Sequence, residues 1–290
     1  MLSWVVNIML IVAQICGGLG NQLFQYAASR AFALQVNAQL ELDSSAYRCG
    51  VDRFKREFLL DKFNVHTPIT TGTKFYGLSG TRMVLKMASS INTLLPKQYK
   101  SILEEKGPFY APIIVSDNTN RVYLIGYWQS CRYFESYWPQ IKSDLLLISP
   151  LDKKNKEIEG MILDSESVSI HVRQSDLRHK LTASYYYRAL EIIKAKVNKP
   201  KYFIFSDSFD LARQLAAEIS AKHIDVNPSS EAYKDLWLMS RCRYHIAANS
   251  TFSWWGAWLA DSAAKQVIVP SSIRNFNVDI IPPGWMALDY

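Results

Sequence analysis

From residue 167 onward the chain alternates, with little interruption, between short apolar runs and longer amphipathic ones. "SVSIHV" precedes "SYYYRALEIIKAKV", "KYFIFS" precedes "FDLARQLAAEIS", "HIDV" precedes "EAYKDLWLMSRC", "YHIAA" precedes "FSWWGAWLADSAA", and "QVIVP" closes the series. Short runs of this kind read as strands covered on both faces. The longer ones carry a helical stripe, as Leu211, Leu215 and Ile219 show at i, i+4 and i+8. Strands separated by helices lie side by side in one direction, so the pattern dictates βαβ units and a parallel sheet.

The first half opens the same way. "MLIVAQI" predicts a strand over about Met9 to Ile15, fed by an extended N-terminus and not by a targeting segment; a glycine turn, the helix "NQLFQYAASRAFALQ" and the strand "AQLELD" follow. Residues 47–120 carry no assignable pattern. "RVYLIGYW" then restores a strand, and "SCRYFESYWPQIKSDLL" reads as one helix. The polar run "SPLDKKNKEIEG" near residue 150 reads as the link between two α/β domains, 1–150 and 151–290. A chain of 290 residues with 49% hydrophobic content is long enough to give each its own core. The charge of +7 suits an anionic ligand or loose association with an anionic membrane surface, but no nucleic-acid motif accompanies it. Four cysteines without CxxC spacing read as free thiols of a reducing, cytoplasmic compartment.

The chemistry-bearing residues fall where such sheets bind ligands, beyond the carboxyl ends of strands. His171, Arg173 and Asp176 follow the first strand of the second half, Asp207 the next, Asn227 the third, and Asn249, Ser250, Thr251, Phe252 and Ser253 the fourth. Four polar side chains within 249–253 exceed what helix capping requires, and the free N–H groups of a helix start suit phosphate. Trp254, Trp255 and Trp258 read as packing residues. In the first half, Gly18 and Gly20 suggest a dinucleotide turn, but Leu23 occupies the third glycine position; Asn21 and Gln22 place amides at the helix start, suited to hydroxyl or phosphate recognition. Dispersed histidines and the weak Glu41-Leu42-Asp43 match give metal chemistry little support. A carbohydrate-binding module or an oxidoreductase stays open at this point.

"GGLGNQLFQYA", "GYWQSCRYF", "HVRQSD", "IFSD" and "DLWLMSRCRYHIAANSTFSWWGAWL", in this order from about residue 10 to the C-terminus, together resemble glycosyltransferase family 11, the α-1,2-fucosyltransferases. The resemblance implies a GT-B fold of two Rossmann-like domains with the active site in the cleft between them. It implies GDP-fucose on the C-terminal domain, a β-galactoside acceptor on the N-terminal one, and inverting transfer without metal or other cofactor. His171, Arg173 and Asp176 match the family's HxRRxD motif, with Arg173 on the diphosphate. Asp207 and Asn249 to Ser253 would complete the donor site, with Gly18, Gly20, Asn21 and Gln22 on the acceptor or fucose side. Asp176 is a candidate base by position alone. The motif's second arginine is Gln174 here, which implies weaker donor binding with activity retained. Natural acceptor and oligomeric state are not legible.

Overall fold

The computed structural model describes residues 8–47, 56–71, 101–107, 109–115, 119–173, 181–207, 209–271 and 278–289, with the backbone of 73–75 and 78–80. Two compact units emerge. One runs to Leu146 and takes back residues 277–280; the other comprises the remainder from Leu147.

In the first unit β1 (Leu10–Gln14), α1 (Leu19–Gln35) and β2 (Gln39–Asp43) form within a few residues of the predicted spans. The unassigned stretch contributes β3 (Ile69–Thr70), the hairpin β4 (Thr73–Phe75) and β5 (Leu78–Gly80), and β6 (Ile102–Glu104). Strands of two or three residues are too short to show periodicity. With β7 (Arg121–Ile125) they complete a parallel sheet in the order β3-β2-β1-β7-β6, the hairpin standing apart. Helix α1 buries all but four of its 17 residues, so its polar side chains need partners inside the protein.

The single helix expected over 130–146 is instead two 3-10 turns, Cys131–Tyr133 and Glu135–Tyr137, followed by α2 (Trp138–Asp144). Pro139 explains the break: its ring clashes with the carbonyl four residues back, so it is tolerated in a first turn and not in a helix interior. Tyr26 Oη and Arg30 Nε, both on α1, meet Asp144 Oδ2 at 2.9 and 3.0 Å and tie α2 to it.

The polar run read as a link near residue 150 contains a helix. Asp152 accepts from Asn155 N at 3.0 Å and starts α3 (Lys153–Leu163), which buries Ile158 and Ile162 one turn apart. The charged residues between them disguise a stripe only two residues long.

The second unit continues with β8 (Ser167–Val172), α4 (Ala183–Lys196), β9 (Lys201–Ser206), α5 (Phe209–Glu218), β10 (Lys222–Ile224), α6 (Ala232–Arg241), β11 (Tyr244–Ile246), α7 (Thr251–Trp258), β12 (Gln266–Pro270) and β13 (Met286–Leu288). All the pairings are parallel, in the order β10-β9-β8-β11-β12-β13. The chain builds outward from β8 in one direction, returns, and builds outward in the other. This is the doubly wound Rossmann order, with its reversal between β8 and β11.

Each face of that sheet has its own packing. Val168, Ile170 and Val172 meet Tyr185, Tyr186, Ala189 and Ile193 of α4 on one side. On the other, Phe203 and Phe205 meet Ile158, Ile162, Leu238 and Met239 of α3 and α6. Helices α6 and α7 approach closely because Gly256 has no side chain; a Cβ there would lie 2.9 Å from the Met239 Cβ. Gly256→Ala should therefore destabilise the chain by about 1–3 kcal/mol in urea titrations, although alanine is the better helix former by about 1 kcal/mol.

Candidate active site

Strand β8 is buried along its whole length, yet every second residue is polar. Ser169, paired with Phe203 in the ladder, shares its face with His171, paired with Phe205. Ser169 solves the problem locally: its hydroxyl meets Nδ1 of His245, its ladder partner on β11, at 2.8 Å. His171 is 3% exposed and its Nδ1 has no hydrogen-bond partner among the described residues. It sits at the carboxyl end, where its ring centroid is 5.5 Å from that of Phe252, the second residue of α7. This contact brings the end of β8 against the start of α7 at the reversal of strand order.

Arg173 follows at once, and its Nε lies 3.0 Å from Asp207 Oδ2, just beyond β9. Both side chains keep between a fifth and a quarter of their surface exposed. Two hydroxyls secure the strand end beneath it, one of them on Tyr186, which motif reading missed. Tyr186 Oη donates to the His171 carbonyl at 3.2 Å, and Ser206 Oγ to the Val172 carbonyl at 2.9 Å. The sequence shows "SYYY" only as part of a helix; which tyrosine reaches β8 is decided by packing.

The segment 249–253 divides its labour. Ser250 caps α7, accepting from Phe252 N at 3.3 Å. Ser253 Oγ accepts from Ala248 N at 3.1 Å and lies 3.1 Å from the Ser250 carbonyl, which stitches the turn together. Asn249 is 2% exposed, and its Oδ1 has no hydrogen-bond partner among the described residues. Thr251 is buried at the first position of the helix. Two of the four polar side chains thus serve the turn. Asp176 and Gln174 lie outside the described residues. Asn227, partly buried, serves the fold at this edge, exchanging hydrogen bonds with Asn155 at 2.9 and 3.0 Å and donating to Asp235 Oδ1 at 2.6 Å.

In the first unit the corresponding reversal lies between β1 and β7. Gly17 has φ +80°, a conformation that favours glycine, and Gly18 caps α1 without a side chain. Arg56, with no motif to announce it, packs over Gly18, its Cδ 3.5 Å from where a Cβ would be. Gly20 is buried within the helix. Asn21 Oδ1 accepts from Gln129 Nε2 at 3.1 Å. Gln22 is fully buried: Nε2 donates to the carbonyls of Gly17 and Glu57 at 3.1 and 2.8 Å, and Oε1 accepts from Leu59 N at 2.9 Å. Its amide holds the glycine turn in place. Gln25 does the same from the next turn, accepting from Cys16 N at 2.9 Å and donating to the Gly126 carbonyl at 3.1 Å. Asp43 accepts from the Tyr123 hydroxyl and from Ser45 N, so the carboxylate of the DxD-like sequence is engaged inside the unit. Among the described residues no group of three His, Cys, Asp or Glu side chains could hold a metal ion.

Two α/β units of parallel sheet, one in Rossmann order with an arginine and a helix start at its reversal, define the class: a GT-B-type glycosyltransferase fold. The chain belongs to glycosyl transferase family 11, whose model matches residues 10–289. Among similar proteins, an α-1,2-colitosyltransferase of Escherichia coli is 30% identical over 297 residues, 97% of this chain and 99% of the relative. The O-antigen biosynthesis glycosyltransferase WbnK of Escherichia coli is 31% identical over 288 residues, 88% of this chain and 92% of that protein. The fold is shared with the α-1,6-fucosyltransferase NodZ, in a crystal soaked with GDP-fucose, at a TM-score of 0.55 and 15% identity, covering 87% of this chain and 93% of that one. No helix among the described residues is long and apolar enough to cross a membrane.

Burial sets the charge states. It pushes the His171 imidazole well below its ordinary range, and the neighbouring Arg173 charge adds to the effect. Burial likewise lowers His245 to about 3, with Lys265 contributing. Both rings are neutral at pH 7. The unfolded chain protonates them near pH 6.5, so the stability they contribute is full above that value and is lost as pH falls toward 3, at about 1.4 kcal/mol per pH unit for each histidine. Asp235 acts in the opposite sense. Burial raises its carboxyl to about 6, against the Asn227 hydrogen bond and the Lys234 charge, so the folded chain takes up a proton as pH falls through 6. That offsets one histidine between about pH 6 and 4. Urea titrations at pH 7, 6 and 5 should show a net loss of stability, steeper in Asp235→Asn and shallower in His245→Gln. Separately, Gln22→Ala should cost about 2–3 kcal/mol in the same assay through the buried groups it strands.

Proposed function

We propose that this chain is an inverting, metal-independent fucosyltransferase. It moves L-fucose from GDP-β-L-fucose to the 2-hydroxyl of a terminal β-galactoside and forms an α-1,2 linkage in a surface glycan such as an O antigen. The observation that carries the reading is the 5.5 Å contact between His171 and Phe252, which sets the Arg173-bearing end of β8 against the first turn of α7. Departure of GDP builds negative charge on the β-phosphate. A fixed guanidinium and outward N–H groups stabilise such charge more in the transition state than in the bound donor. Asp207 holds Arg173 in one orientation until the diphosphate takes its place. The neutral His171, with Nδ1 open, and the open amide oxygen of Asn249 suit hydroxyl or phosphate contacts, not a second cationic grip. Ser250, Thr251, Phe252 and Ser253 shape the helix start that receives the anion. The acceptor hydroxyl must lose its proton as the bond forms, and Asp176, three residues beyond Arg173, is the carboxylate we put forward as base. Gly18 and Asn21 face fucose or acceptor, while Gly20, buried within α1, and Gln22 serve them by holding the turn. The reaction is placed in the cytoplasm, at the membrane face where glycan precursors are assembled; the charge of +7 supports loose attachment there.

A second donor has a specific observation in its favour, the similarity over 97% of this chain to a protein named as an α-1,2-colitosyltransferase. Colitose is fucose without its 3-hydroxyl, so the two readings differ by one polar contact. A site built to hydrogen-bond that hydroxyl rejects the deoxy sugar; a site that covers the position with apolar groups tolerates both. The test is a donor panel of GDP-fucose, GDP-colitose and GDP-mannose with lactose, following GDP release and product linkage. Turnover with GDP-fucose in preference to GDP-colitose is expected, and the reverse preference would establish the second reading. Arg173→Ala should lower kcat by about 100-fold or more. Turnover unaffected by that change would remove Arg173 from the mechanism.

A further inference from the structure

The loop "GYWQSC" after β7 carried part of the family resemblance but has no role in the donor chemistry. Its geometry is unusually constrained. Gly126 allows no side chain, since a Cβ would lie 2.5 Å from the Glu105 Cβ. Tyr127 N donates to Glu105 Oε2 at 2.8 Å. Trp128 has φ +55°, in the left-handed region where a bulky residue is a genuine outlier, and its ring is buried in an edge-on contact with Tyr133 at 5.5 Å. Gln129 donates to Asn21, and Ser130 Oγ donates to the Asp279 carbonyl at 3.2 Å. Trp128, Gln129, Ser130 and Cys131 are all buried, whereas Tyr127 is 45% exposed. Strain of this kind persists where the surroundings over-determine it, and its result here is a rigid loop on which one aromatic residue keeps close to half of its surface exposed.

That ring stands at the carboxyl end of β7, beside β1, where the strand order of the first sheet reverses and where α/β sheets bind ligands. We propose that Tyr127 is a stacking platform for one pyranose ring of the acceptor glycan. This rests on the reading of the chain as a galactoside-modifying enzyme. A pyranose has one face of C–H groups that packs on an aromatic face, while its hydroxyls point outward to polar partners. Arg132, in the 3-10 turn that follows, 52% exposed and 3.5 Å from Asp279, would supply one such partner. A phenol on a rigid backbone contributes area at little entropic cost, so it sets acceptor affinity without touching the transferred sugar.

The test measures acceptor binding and turnover separately. Saturation-transfer NMR with lactose, with and without GDP, would compare the full chain with Tyr127→Ala, Tyr127→Phe and Tyr127→Trp. Expected is a loss of lactose affinity of about tenfold in Tyr127→Ala. Tyr127→Phe and Tyr127→Trp should stay near wild type, and GDP affinity should be unchanged in all three. In turnover assays the same change should raise acceptor KM and leave kcat and donor KM in place. If the wild type binds lactose but transfers neither fucose nor colitose, the proposed reaction falls while the platform stands on the binding data. The platform is overturned if Tyr127→Ala binds lactose as the wild type does, if Tyr127→Phe loses as much as Tyr127→Ala, or if the wild type binds no β-galactoside.

Discussion

The second unit depends on a strand that is buried on both faces and polar on one of them. Parallel strands with helices above and below are ordinarily apolar throughout, because a side chain between sheet and helix has no water to meet. In β8 the face toward α4 obeys that rule with Val168, Ile170 and Val172. The other carries Ser169, matched by His245, and then His171 with an open nitrogen at the very end. Within β8 the polar face is answered at Ser169 and left with an unpartnered nitrogen at His171, among the described residues. Arg173, Asp207 and the start of α7 inherit their positions from that arrangement.

The first unit meets a related constraint by different means. Helix α1 is buried on most of its surface and so cannot be an amphipathic helix with one wet face. Its interior amides are used as ties: Gln22 to the chain at Gly17, Glu57 and Leu59, and Gln25 to Cys16 and Gly126. These bonds immobilise two loops at the carboxyl edge of the sheet at once. Rigid loops over a rigid sheet hold recognition groups in place, which is why the strained Trp128 and the exposed Tyr127 occur beside them and not on a free turn.

Membership of glycosyl transferase family 11 sets the reaction class, but local chemistry differentiates this chain within it. The motif that should carry two arginines after His171 carries Arg173 and Gln174. On the proposed reading this removes one of two adjacent cations from the donor side of the site. Charge near a diphosphate acts over several ångströms, so its loss bears on donor affinity more than on the geometry of transfer.

The sequence alone determined the parallel α/β class, because apolar runs of strand length separated by helices admit few other arrangements, and it placed Arg173, Asp207 and residues 249–253 at one edge because the chain leaves each strand of such a sheet at the same end. It could not separate the polar groups that face a ligand from those that hold the fold. Asn227, Gln22, Ser250 and Ser253 look as functional in the sequence as Asn249 and His171, yet the former make local hydrogen bonds and the latter keep an open atom. Nor could it show that the polar run after residue 150 is a helix, because that depends on Ile158 and Ile162 finding distant partners. Satisfaction of a buried polar group is a property of what packs against it, and only the tertiary structure decides that.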